Sequence, residues 1–128
     1  MKYLTGWIAA VALIGCQSHQ EGVTKADFAR KAVIEATIGD IQDAIKTNKT
    51  SCLDVVNAYI ERIETYDQST GLNAITYKNF DAARQKAGAA DAMIIDKKPL
   101  PKLFCVPMLV KDNMDVKGLP TTAGSKML

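Results

Sequence analysis

The sequence predicts an α/β fold, because strand-like and helix-like patterns alternate along one small domain. Residues 103–110 form a nearly unbroken apolar run that stops at Lys111. A run of this length bounded by turn residues is typical of a strand buried on both faces. A shorter strand is predicted over residues 72–77. Three other stretches repeat apolar residues at helical spacing, so the predicted order is helix, helix, strand, helix, strand.

Composition limits the classes of function that the chain can have. Its 128 residues are enough for one small domain, and 48% hydrophobic with 23% charged residues is ordinary for a globular protein. The formal net charge is +2 without a basic run, which gives no reason to expect nucleic acid as a partner. His19 is the only histidine, which argues against a Ser-His-Asp triad or a His-rich metal site. We therefore predict no metal and no cofactor.

The first 15 residues predict a bacterial lipoprotein signal peptide. Lys2 gives a basic start, and residues 4–15 are apolar and uncharged, which is too short to span a bilayer comfortably. Residues 13–16, LIGC, resemble a lipobox, in which the cysteine is lipidated and cleavage falls before it. This implies lipid attachment at Cys16 and export to the periplasmic side of a bacterial membrane. Gln17 resembles lipoproteins sorted to the outer membrane, and the alternative is an uncleaved N-terminal helix.

The mature chain is predicted to have two parts, a lipidated cysteine with a polar tether over residues 16–26 and a domain over residues 27–128. Near the start of the domain, residues 28–46 are predicted to contain an amphipathic helix. The apolar side chains of that helix recur at helical spacing: Ile34, Ile38, Ile41 and Ile45. We interpret this stripe as packing only.

Two further helices are predicted from capping and periodicity. Ser51 begins the second helix, with Asp54 three positions later in a variant of the capping box. Its predicted buried face consists of Cys52, Val56, Tyr59, Ile60 and Ile63. Asn79 is the predicted cap of the third helix. The face of that helix is small and rich in alanine, with Phe80, Ala83, Ala87, Ala90 and Ile94.

Residues 106–125, VPMLVKDNMDVKGLPTTAGS, closely resemble the first signature block of the amidase signature family. The resemblance extends from about residue 34 to residue 125. It implies the N-terminal portion of the amidase signature fold, a mixed sheet covered by helices, incomplete in this chain. One departure is Cys105, where the family usually has glycine.

The resemblance also implies an activity, because members of this family hydrolyse carboxamides with a Ser–cis-Ser–Lys triad. Lys111 stands where the family has its catalytic lysine. A lysine at the end of a buried strand is partly desolvated, which lowers its pKa and makes it a usable base. The expected partner is a small-molecule or peptide amide. The loop that would shape the site consists of Asp112, Asn113, Thr121, Thr122, Gly124 and Ser125.

Both serines of the triad are missing from the sequence. Its serines are Ser18, Ser51, Ser69 and Ser125, and none lies in a Gly-Ser-Ser-Gly context. We therefore expect a truncated amidase domain, inactive alone, that is the front of a longer lipoprotein amidase. The alternatives are an inactive lipoprotein or binding fragment, and a glutaminase similar to that of the glutamyl-tRNA amidotransferase. Export argues against the glutaminase, because tRNA is cytoplasmic.

Cys52 and Cys105 are the remaining cysteines. An exported protein permits a disulfide between them. We favour two buried free thiols in different layers of the domain, because Cys52 is predicted at a helix start and Cys105 in a buried strand.

Overall fold

The computed structural model describes residues 22–127, and over that range it contains four α-helices. Their bounds are α1 Lys25–Ala32, α2 Ile38–Lys46, α3 Cys52–Tyr66 and α4 Phe80–Ile95. The predicted signal peptide and Cys16 lie outside the described residues. The predicted tether ends inside α1, because this helix already begins at Lys25. None of the helices in the described range is long and apolar enough to cross a bilayer.

Residues 28–46 contain part of α1 and all of α2, rather than one helix that carries all four predicted isoleucines. A capping box starts α2: the Thr37 hydroxyl accepts from the Asp40 N–H at 3.1 Å, and the Asp40 carboxylate accepts from the Thr37 N–H at 3.0 Å. An N-cap residue has an extended backbone and cannot lie inside a helix. Ile34 and Ile38 are consequently exposed, whereas Ile41 belongs to the core.

The prediction for α3 is confirmed at its start and in part along its face. Ser51 is the N-cap, and its hydroxyl accepts a hydrogen bond from the Asp54 N–H at 3.1 Å. Cys52 and Ile60 are buried as predicted. The buried face is rotated slightly from the predicted one, because Val55 and Ala58 are also buried. The three other residues of the predicted face are half-buried: Val56, Tyr59 and Ile63.

The core lies where α3 packs against α1 on one side and α4 on the other. The small side chain of Ala87 is buried in α4, which is consistent with close packing between the two helices. Asn79 precedes α4 as predicted, although its side chain makes no capping hydrogen bond. The buried cluster consists of Ala29, Val33, Ile41, Ile45, Cys52, Val55, Ala58, Ala87 and Phe104.

Neither predicted strand is present in residues 22–127, so the mixed sheet is not seen there. Residues 72–77 and 103–110 are loop and turn. A strand needs a neighbouring backbone to satisfy its N–H and C=O groups, and this part of the chain supplies only helices and loops. The apolar run is accordingly exposed at its end, with Leu109 74% exposed. The prediction of a run buried on both faces is therefore wrong for these residues.

Cys52 and Cys105 form a disulfide, so the preference for two free thiols is wrong. Their Cα atoms are 5.1 Å apart, within the usual range for a disulfide. The expectation fails because it places Cys105 inside a strand, in a layer separate from α3. The chain instead turns at Cys105, whose φ of 55° is in the left-handed region, and meets the start of α3.

Candidate functional site

Lys111 lies at the junction between the exposed apolar run and a long loop. Its side chain is exposed, as are those of Met108, Leu109 and Val110 before it. The burial that was expected to desolvate the amine is therefore not provided by residues 22–127. The carbonyl of Lys111 accepts a hydrogen bond from the Met114 N–H at 3.0 Å, which begins the loop with a turn.

Asp112 and Thr122 close this loop by joining its two ends. The Asp112 carboxylate accepts hydrogen bonds from the Thr122 hydroxyl and from the Thr122 N–H, the latter at 3.0 Å. The Asp112 carbonyl accepts from the Ala123 N–H at 3.1 Å. A carboxylate that accepts from both a side chain and the backbone fixes the local conformation more firmly than either bond alone. We call residues 111–125 the Lys111 loop.

The hydrogen bonds to Asp112 also determine its protonation. The Thr122 hydroxyl is the largest influence that holds the pKa of Asp112 below its ordinary value, followed by the Thr122 N–H. Partial loss of solvent raises this pKa and so opposes the effect, while the Gly124 N–H and the positive charge of Lys111 lower it further. Asp112 is therefore held in the charged form that the loop requires.

The other predicted site residues lie near the contact between Asp112 and Thr122. Gly124 donates its N–H to the Thr122 hydroxyl at 3.3 Å, and its φ of 74° suits glycine. Ser125 is half-buried, and its hydroxyl accepts from the Met127 N–H at 3.1 Å. Thr121 is half-buried and Asn113 is exposed. The structure thus brings Asp112, Thr122 and Gly124 together, and it joins Lys111 to them through the backbone.

Gln42 supports the segment that leads to Lys111, and no sequence pattern indicates this role. Its side-chain amide in α2 donates to the carbonyl of Lys102 at 2.8 Å and to that of Phe104 at 3.3 Å. The two acceptors are 60 and 62 positions away in the sequence. Short-range patterns do not mark such a contact, because a glutamine on an amphipathic helix is ordinarily a solvated residue.

No other feature of the described residues competes with the Lys111 loop as a site. No group of three or more His, Cys, Asp or Glu side chains among them is placed to hold a metal ion. A depression of about 640 Å³ lies at the start of α1, between Thr24, Asp27 and Arg30. It is open, and the side chains of Thr24, Asp27 and Arg30 at its edge are already engaged in capping and ionic contacts.

Comparison with known proteins gives a family match that includes the Lys111 loop. The family model described as Amidase matches residues 54–128. The A subunit of glutamyl-tRNA(Gln) amidotransferase from Prochlorococcus marinus is 35% identical over 92 residues, and its counterpart from Moraxella catarrhalis is 36% identical over 94 residues. Each alignment covers 72% of this chain and 18% of the relative. The counterpart from Chlamydia abortus is 34% identical over 89 residues. No solved structure matches the chain.

Proposed function

Because this chain belongs to the amidase family, we propose that it supplies Lys111, the base, to a site that hydrolyses a carboxamide. The observation that carries the proposal is the family match over residues 54–128, which includes Lys111 and its loop. The chain spans about 18% of the length of the relatives that it matches. The activity of a whole protein is therefore part of the proposal, together with its substrate, a small-molecule or peptide amide.

The chemistry needs groups that these residues do not supply. The nucleophilic serine and the cis serine of the triad would come from outside the Lys111 loop. Ser51 caps α3 and the Ser69 hydroxyl donates to the Thr65 carbonyl. A neutral Lys111 would take a proton from the cis serine, which takes one from the nucleophile as that attacks the carbonyl carbon. The amine leaves, and water then hydrolyses the acyl-serine.

The exposed apolar run supports the idea that Lys111 becomes desolvated when the site is complete. Met108, Leu109 and Val110 immediately precede it and expose large apolar surfaces. Covering these side chains would remove water from the neighbourhood of the amine.

The test is a chimera with a relative of named activity. The 92 aligned residues of this chain replace the corresponding segment of the Prochlorococcus marinus relative, and amidotransferase activity is measured. We expect the chimera to be active and Lys111→Ala to reduce its kcat by at least about a thousandfold, since the base acts in the chemical step. Lys117→Ala is the matched control, because this lysine is exposed in the same loop. An active Lys111→Ala chimera would remove Lys111 from the mechanism, and an inactive parent chimera would favour a non-catalytic fragment.

We propose in addition that the protein is exported and anchored to lipid through Cys16. The basic start, the apolar residues 4–15 and the LIGC motif support this. The Cys52–Cys105 disulfide supports it independently, because disulfides persist in oxidising compartments and are rare in the cytosol. Palmitate labelling with a Cys16→Ser control tests the anchor. Equal labelling of both proteins would refute it.

A second candidate function is a role in a glutamyl-tRNA(Gln) amidotransferase, which the names of the matched relatives favour. This role requires a cytoplasmic protein, because tRNA is cytoplasmic. Cell fractionation therefore separates the two candidates. Recovery of the protein with reduced cysteines in the cytosol would favour the amidotransferase role, and recovery of the oxidised protein with membranes would favour the exported amidase.

A further inference from the structure

The Cys52–Cys105 disulfide joins the helices to the segment that leads to Lys111. Cys52 is the first residue of α3 and is fully buried. Cys105 is half-buried and lies six positions before Lys111. A covalent bond at this point therefore determines where the apolar run, and the loop that follows it, begin relative to the helices.

Few other contacts hold the segment 103–111 in the described part of the chain. Phe104 is buried in the core, and Gln42 donates to the carbonyls of Lys102 and Phe104. The backbone N–H groups of Phe104 and Val106 bond only to nearby carbonyls, those of Pro101 and Leu103. The side chains of residues 108–111 are exposed. The disulfide thus lies at the last point where this segment is attached to the helices.

We propose that this disulfide is a reducible tether that controls the position of residues 105–111, and with them Lys111. In the oxidised protein these residues are held at the start of α3. In the reduced protein residues 105–111 and the Lys111 loop move away from the helices, which remain folded with Phe104 in their core. The proposal concerns conformation, so it stands or falls independently of amide hydrolysis.

The reductant would be a small thiol or a dithiol protein. Its thiolate attacks the sulfur of Cys105, which is the more accessible of the two residues, and Cys52 leaves as a thiolate that then takes up a proton. A second thiolate of the reductant attacks the mixed disulfide and releases Cys105. Two electrons and two protons pass to the protein, and the reductant becomes a disulfide.

The helices do not depend on the bond for their packing. The packing of α3 against α1 and α4 has its own buried side chains, among them Val55, Ala58 and Ala87, and Phe104 is buried in the same cluster. The start of α3 is also held by Asp91, whose carboxylate accepts from the N–H groups of Cys52 and Leu53. Reduction leaves these contacts and the burial of Phe104 in place, so the movement is confined to the residues that follow Phe104.

Hydrogen exchange measured by mass spectrometry on the 128-residue chain tests the proposal. A Cys16→Ser background leaves Cys52 and Cys105 as the only cysteines. On reduction we expect the amide of Val106, which is hydrogen-bonded to the Leu103 carbonyl, to exchange at least about tenfold faster, whereas protected amides of α3 and α4 change by less than about twofold. Unchanged exchange at Val106 would overturn the proposal. Simultaneous loss of protection in α3 and α4 would also overturn it, because the bond would then be a general staple.

Two variants separate the bond from the turn that it accompanies. Cys52→Ala removes the bond and is expected to show the fast exchange of the reduced protein without added reductant. Cys105→Gly removes the bond but eases the left-handed backbone at this position, where φ is 55°. Fast exchange in both variants supports the tether. Slow exchange in Cys105→Gly would show that the turn holds the segment, and the proposal would fail.

Discussion

The carboxylate of Asp91, in the last turns of α4, accepts a hydrogen bond of 2.8 Å from the backbone N–H of Cys52 at the start of α3. Its second oxygen accepts from the N–H of Leu53 at 3.1 Å. The first N–H groups of a helix have no partner within it, and negative charge near them is favourable. Asp91 thus completes the N-terminal cap of α3 that Ser51 begins. It also links α4 to α3 through residues that are 39 positions apart in the sequence.

Replacing Asp91 by alanine is therefore expected to destabilise the α3–α4 pair. The variant leaves two N–H groups of α3 without their partner, which costs about 1–2 kcal/mol of unfolding free energy. Chemical denaturation followed by circular dichroism measures the loss. Glu64→Gln is the charge control, because Glu64 is exposed in α3, and we expect it to remain within about 0.5 kcal/mol. Equal midpoints for the two variants would show that the cap contributes nothing.

Thr37→Ala is expected to lower the helicity of α2. The substitution removes the hydroxyl that accepts from the Asp40 N–H and donates to the Asp40 carboxylate at 2.6 Å. Loss of such an N-cap costs about 1 kcal/mol. Circular dichroism of the variant is compared with that of Thr76→Ala, whose residue is exposed and lies outside the helices. Identical spectra and thermal midpoints would contradict the role of the capping box.

The hydrogen bonds between Asp112 and Thr122 that close the Lys111 loop are expected to break in acid. The pKa of Asp112 is lowered in the folded protein, chiefly by the Thr122 hydroxyl and N–H. A lowered pKa means that the carboxylate stabilises the loop at every pH above its unfolded value, about 4. This stabilisation is lost as the pH falls below that value and through the folded pKa. NMR titration of the Thr122 amide measures the change.

Asp112→Asn is the matching variant for the acid transition, with Asp115→Asn as its control in the same loop. The asparagine keeps one carbonyl oxygen for the Thr122 N–H but loses the charge. We expect the Thr122 amide of Asp112→Asn to show no transition below about pH 4, whereas Asp115→Asn keeps it. A transition of unchanged size in Asp112→Asn would assign the effect to another carboxyl group.

Alanine substitutions at Phe104 and at Leu109 are expected to have very different effects on stability, although both residues belong to the apolar run. Phe104 is 8% exposed and Leu109 is 74% exposed. Phe104→Ala should therefore cost about 3 kcal/mol through the cavity it leaves, and Leu109→Ala less than about 0.5 kcal/mol. Unfolding in urea measures both. A large loss for Leu109→Ala would mean that the run is buried in solution.

Helix starts are better predicted from this sequence than helix lengths. Ser51 is recognisable because its cap is a local pattern of four residues. The same pattern at Thr37 and Asp40 is masked by isoleucines at helical spacing that continue across it. Periodicity predicts the buried face that an unbroken helix would have. A capping box fixes the residue at which a helix begins, and here it divides the stretch into two helices despite the periodicity.

Long-range features could not be predicted from local patterns. A strand depends on backbone partners from elsewhere in the chain, so hydrophobicity alone could not decide the conformation of residues 103–110. The disulfide joins residues 53 positions apart, and the contact of Gln42 with Lys102 joins residues 60 positions apart. By contrast, the motif around Lys111 indicates the family because it is a long contiguous pattern, and the family match over residues 54–128 includes it.

The disulfide also makes a closed covalent ring of the chain from Cys52 to Cys105, which are 53 positions apart. The ring contains α3, α4 and the loop between them. A protease that cuts once in the exposed residues 68–74 would open the ring without separating the two pieces. The cut protein would therefore migrate as one band in electrophoresis without reductant and as two bands with it, and both pieces would be retained together after cleavage.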